Sequence, residues 1–100
     1  MSNKQISQLP VLSPSTFQDW KNIVFSFCLE KNVDDHLLTD LVAGEKDAVA
    51  KVSLLEKKST AAGILGRNLG REYYAKFVTI KNRKEPHTLW KNICEHFESE

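Results

Sequence analysis

The sequence predicts an all-α protein, a compact bundle of four to five helices, and three observations carry that prediction. Apolar residues recur three and four positions apart through most of the chain, the spacing that lines one face of a helix. No stretch alternates apolar and polar residues between hairpin turns; "KFVTIK", residues 76–81, is the nearest candidate for a strand. The helical runs are punctuated at Asn32, Gly44, Gly70 and Pro86, residue types that end or open helices.

The elements follow in chain order. Residues 1–11 are polar, show no sustained period and read as a flexible N-terminal arm, with Leu9, Val11 and Leu12 able to pack onto the domain at 12–99. The first helix starts near Pro14, capped by Ser13, or from a capping box of Ser15 with Gln18. Phe17, Trp20, Val24, Phe27 and Cys28 form its apolar stripe, and Asn32 ends it. Asp34 or Asp35 caps a short second helix through Leu41, with Val33, Leu37, Leu38 and Leu41 inward. After Ala43-Gly44 a long helical stretch runs from Glu45 to Leu69. Its seam is Ala48, Val52, Leu55, Ser59, Ala62, Gly66 and Leu69, mostly small residues. Gly63 and Gly66 each cost about 1 kcal/mol relative to alanine inside a helix. They are read as marking the close approach of a neighbouring helix, with a break near Ser59 as the alternative.

Gly70 resets the chain direction before a fourth helix, "REYYAKFVTIKN", with Tyr74, Phe77 and Val78 inward. The loop "NRKE" follows, and Pro86 opens a last helix whose face is Leu89, Trp90, Ile93, Cys94 and Phe97.

Composition bounds the function. One hundred residues, 41% hydrophobic and 27% charged, suit one small folded domain rather than a disordered chain. The formal charge of +1 hides an asymmetry: residues 1–50 hold four Lys/Arg against seven Asp/Glu, and residues 51–100 hold ten against six. Such a dipole favours head-to-tail association or contact with a polyanion, while solvated helix faces that differ in charge produce the same pattern. Cys28 and Cys94 sit inside apolar stripes, as free thiols of a reducing compartment do, with a bridge between them as the alternative. The first twelve residues lack the apolar run of a secretory signal. The most apolar stretch, Ile23–Leu29, is seven residues long, far short of the ~20 that span a bilayer. The expected location is cytoplasmic, with no membrane partner.

No constellation for chemistry emerges. His36, His87 and His96 are scattered, and Cys94 with His96 gives only a C-x-H pair where tetrahedral zinc needs four ligands. Two cysteines cannot build a zinc knuckle, which takes three and a histidine. No serine sits in a strand–turn–helix elbow, and Asp34-Asp35 reads as cap chemistry rather than an acid/base dyad. "GRNLGRE" follows a helix and lacks the Gly-Lys-Ser/Thr ending of a phosphate loop. The expectation is a non-enzyme without cofactor, metal or small-molecule substrate. Lys76, Lys81, Arg83 and Lys84, with Arg71 nearby, form the one basic cluster suited to RNA contact, where Tyr73 is placed to stack on an unpaired base.

The two ends of the domain together resemble the N-terminal capsid region of Gag proteins from Ty1/copia-type LTR retrotransposons. The stretch "LSPSTFQDWKNIVFSFCLEKNVDDHL" resembles the family's first motif through Leu12, Phe17, Trp20 and Lys21. "KEPHTLWKNICEHFES" is similar to its second hallmark at Trp90, Ile93 and Phe97, followed by Glu98-Ser99. Between them, "STAAGILGRNLGREYYAKFVTIKN" resembles the family's small-residue middle stretch. The chain departs from the pattern in "EPHTL", which replaces an alanine-rich run, and the family's downstream zinc knuckle has no counterpart here. The resemblance implies a capsid N-terminal-domain-like fold that self-associates into virus-like particles or joins a related Gag protein, with RNA as a further, weak partner. It also implies that Phe17, Trp20, Phe27, Leu89, Trp90 and Phe97 serve the core rather than a binding surface.

Overall fold

The computed structural model describes residues 9–98, and among them the backbone forms four α-helices, one 3-10 turn and no strand. The helices are α1 (Phe17–Glu30), α2 (Ala48–Arg67), α3 (Gly70–Phe77) and α4 (Pro86–Glu98), with the 3-10 turn at Asp34–Leu37 between the first two. Most of the expected arm, residues 1–8, lies outside the described residues. Of its apolar residues and the one after it, Leu9 packs partly on the core, Leu12 is buried and Val11 is exposed.

α1 begins three residues later than Pro14, because Ser13 opens a tight turn instead of a helix. The Thr16 amide donates to both the carbonyl and the Oγ of Ser13, at 3.1 and 3.3 Å. Neither Ser13 nor Ser15 caps the helix; Thr16 holds the cap position without a side-chain bond. The helix ends as the sequence implies. Asn32 adopts φ 60°, and the Val33 and Asn32 amides donate back to the carbonyls of Cys28 and Leu29 at 2.9 Å each. Paired bonds of this kind define a Schellman stop, and the buried pair Cys28 and Val33 supplies its apolar contact.

The second helix shrinks to the single 3-10 turn. Val33 and Leu37 are buried as expected, but Leu38 and Leu41 face solvent. Asp40 accounts for the early stop: its Oδ1 accepts the Val42 and Ala43 amides at 3.1 and 3.3 Å, which folds the chain into a loop. Asp47 then caps α2 by accepting the Ala50 amide at 2.9 Å.

One aromatic column joins the two ends of the domain. Phe97 stacks on Phe17 at 4.8 Å between ring centroids, and Trp20 lies 6.3 Å from both Phe17 and Trp90. The indole Nε1–H of Trp20 donates to the Asn68 carbonyl at 2.8 Å, closing the last turn of α2. Leu37, Leu65, Leu89 and Ile93 complete the core, and Phe27 packs half-buried at its margin. Outside the core, Lys21 and Glu98 form an ion pair at 2.7 Å, which holds α1 beside the end of α4.

Gly70 turns the chain with φ 82°, a conformation that other residues adopt only with strain. α3 is shorter than expected and rotated from the expected facing. Tyr73 and Phe77 meet His96 and Phe97 of α4, whereas Tyr74 is exposed. After Phe77 the chain does not continue as helix, because buried Asn82 organises a tight loop. Its side chain accepts the Thr79 amide at 2.7 Å and donates to the Phe77 carbonyl at 2.9 Å.

Candidate interaction face

The site-forming element is α2, 20 residues and ~30 Å long. Its buried residues are Ala61, Ala62, Ile64 and Leu65, all in its second half. The first half stands largely clear of the core, with Val49, Val52 and Leu55 at 79%, 58% and 46% exposure. The seam expected to face inward therefore points outward at Val52, Leu55 and Ser59, and only Ala62 and Leu69 of it are buried. Leu54, Lys58, Ala61 and Leu65 form the side that meets the molecule.

The two helix glycines sit on this outward side. A Cβ at Gly63 would meet nothing within 4 Å, so among the described residues the neighbouring helix expected there does not pack against it. At Gly66 the ring of Tyr74 approaches to 3.4 Å, and it is this side chain that uses the missing Cβ. Between them lies an open groove of about 560 Å³, lined by Ser59, Gly63, Gly66, Tyr74, Arg83 and Lys84, among others. It continues past Arg67 to Arg71 and the start of α3.

Of the four residues expected to contact RNA, Arg83 and Lys84 line this groove, while Lys76 and Lys81 are exposed without lining it. The aromatic beside the cations is Tyr74, not Tyr73, which is packed against Phe77. Arg67 also lines the groove and escaped sequence reading, because its placement depends on which side of α2 the core takes up. Among the described residues, none of Arg67, Arg71, Arg83 and Lys84 forms an ion pair.

Comparison with protein-family models, curated proteins and solved structures gives no match. The reading of the surface therefore rests on its own chemistry.

A second cluster lies where the loop after the 3-10 turn, α2 and the start of α4 meet. Asp40, Glu85 and His87 place ligand atoms within 4.8 Å of one another. Lys58 reaches into this group, 2.9 Å from Glu85 and 3.6 Å from Asp40, and its own side chain is only 12% exposed. The ammonium stands where a metal ion would have to bind, so the cluster reads as a latch between elements. Burial raises the Asp40 carboxyl pKa, but the Lys58 charge and the Ala43 and Val42 amides outweigh it and leave the pKa below its ordinary value. Nearby His36 is 3% exposed, its Nδ1 has no hydrogen-bond partner among the described residues, and burial lowers its pKa.

The thiols are held protonated. Burial pushes Cys28 up to about 11, and it raises Cys94 as well. Both cysteines are free, and a thiol with a raised pKa is a poor nucleophile. Among the described residues, no helix is long and apolar enough to cross a membrane.

Proposed function

We propose that this protein is a non-enzymatic assembly module of the capsid type found in Ty1/copia-type retrotransposon Gag proteins, acting in the cytoplasm through contacts between protein copies. The observation that carries the reading is the outward face of α2, where Val49, Val52 and Leu55 lie in solvent on a helix whose opposite side already forms the core. Apolar side chains grouped on one exposed helix side supply the kind of surface that protein–protein contacts use, which supports the reading. Support also comes from the aromatic column, which brings Phe17 and Trp20 of one resembling motif against Trp90 and Phe97 of the other.

Sedimentation across a concentration series, alone and mixed with a related full-length Gag, tests the reading. Concentration-dependent oligomers or co-assembly are expected. A monomer up to millimolar concentration in both settings contradicts it. The same experiment separates a building block from a fragment that modulates a related capsid, since a modulating fragment shortens or blocks growing shells.

A second reading, a weak RNA-binding domain, draws on Arg67, Arg83 and Lys84 beside exposed Tyr74. It requires affinity that falls steeply with salt and with charge reversal at Arg83 and Lys84.

A further inference from the structure

The groove beside the second half of α2 segregates charge. The whole chain is nearly balanced, with 14 Lys/Arg against 13 Asp/Glu. The residues lining the groove and its continuation include Arg67, Arg71, Arg83 and Lys84 and no acid. Solubility alone is served by both signs interspersed.

Three elements converge to hold the cations. Arg67 stands in the last turn of α2, Arg71 in the first turn of α3, and Arg83 and Lys84 on the loop before α4. Buried Asn82 fixes that loop through the Thr79 amide and the Phe77 carbonyl, and the Arg83 amide donates to the Thr79 carbonyl at 3.0 Å. Glu85, the acid next to Lys84 in sequence, is taken up by Lys58 at 2.9 Å and stays outside the groove lining. Tyr74 adds a flat ring to the same groove: it lies against Gly66, yet the residue is still 46% exposed.

We infer, building on the RNA-binding reading above, that this groove holds a single-stranded segment of RNA. Its phosphates lie on Arg67, Arg71, Arg83 and Lys84, and an unpaired base stacks on Tyr74. Arginine forks pair with phosphate oxygens two at a time, and a tyrosine ring suits the flat face of any base. The carboxylates of an acidic peptide answer the cations but not the ring. A duplex keeps its bases stacked inside, so the ring again stays unused. A single strand presents both charge and a free base. The contact is therefore tolerant of sequence, and it leaves Val49, Val52 and Leu55 on the first half of α2 open to protein contacts.

Fluorescence anisotropy on the full chain tests the contact, using a short labelled RNA of mixed sequence, single-stranded or annealed to its complement. Arg83→Gln/Lys84→Gln is expected to weaken single-strand binding at least tenfold at low salt. It should also lower the slope of log affinity against log salt from about −3 toward about −1.5, as the loss of two phosphate contacts in four requires. Tyr74→Leu is expected to weaken binding by about fivefold or more with the slope unchanged, since stacking releases no counterion. Lys76→Gln/Lys81→Gln removes the same charge from exposed positions outside the groove lining and should leave affinity within about twofold. All the altered residues are exposed, so circular dichroism should not change. Equal losses from the two charge pairs, or no loss from Tyr74→Leu, overturn the groove contact while RNA binding itself stands. A duplex bound as tightly as the single strand overturns it as well. No RNA binding at low salt overturns both the contact and the RNA-binding reading. Poly-glutamate that binds more tightly than the RNA and weakens in the same variants assigns the groove to an acidic protein and overturns the inference.

Discussion

Trp20 shows how one residue ties the sequence motif to the fold. Its ring is fully buried in the aromatic column, and its Nε1–H satisfies a carbonyl at the end of α2. Trp20→Ala removes both contributions and is expected to cost ~3–5 kcal/mol, against ~5–15 for the whole stability of a small domain. Urea denaturation should show a severe loss, and a cost below 1 kcal/mol would contradict the packing. Two glycines give a contrasting pair. Gly63→Ala is expected to raise stability by about 0.5–1 kcal/mol, because a methyl there meets open space and the helix gains propensity. Gly70→Ala is expected to lower it by about 1 kcal/mol or more, because φ is 82°. His36 adds a pH dependence. Its folded pKa lies below the ordinary 6.5, so the unfolded chain binds the proton more readily. That contribution is complete above the unfolded pKa and declines as pH falls from about 6.5 toward the folded value. Denaturation midpoints should drop over this range, and His36→Leu should flatten the slope if burial of the ring is its source.

At the scale of the elements, α1 and α4 were legible because each carries one bulky apolar stripe and a charged remainder, so a single facing satisfies the pattern. Asn32 was legible for a local reason, since a stop in the left-handed region suits asparagine. α2 was legible as a helix but not in its facing. Both Ala48–Val52–Leu55–Ser59 and Leu54–Lys58–Ala61–Leu65 obey three-and-four spacing, and only packing against the other elements chooses between them. The short helix through Leu41 and the extension of α3 to Asn82 failed because Asp40 and Asn82 bond loop amides instead of joining a helix. Hydrogen exchange tests the resulting division of α2. In dilute solution the amides of residues 52–57 should exchange much faster than those of 61–67, and the difference should narrow as concentration rises. Uniform protection at low concentration would contradict a projecting first half.

For the whole molecule, the fold brings α1 and α4 together and leaves α2 half uncovered. The Lys58 latch with Asp40 and Glu85 supports this division, because it anchors α2 just before its buried half begins. Lys58→Met would leave two carboxylates facing each other near His87, and a loss of about 1–3 kcal/mol is expected in thermal or urea unfolding. The candidate surface was only partly visible in the sequence. The charge asymmetry and the small-residue seam were there to read, but their meaning depends on which side of α2 the core takes up. The central claim is that the exposed first half of this side carries contacts between protein copies. Sedimentation velocity of a Val52→Gln/Leu55→Gln chain tests it most directly, with Leu29→Gln, at an exposed apolar residue of α1, as the control. The account predicts association at least tenfold weaker than wild type for the double variant and unchanged for the control. Equal association in all three chains would contradict it.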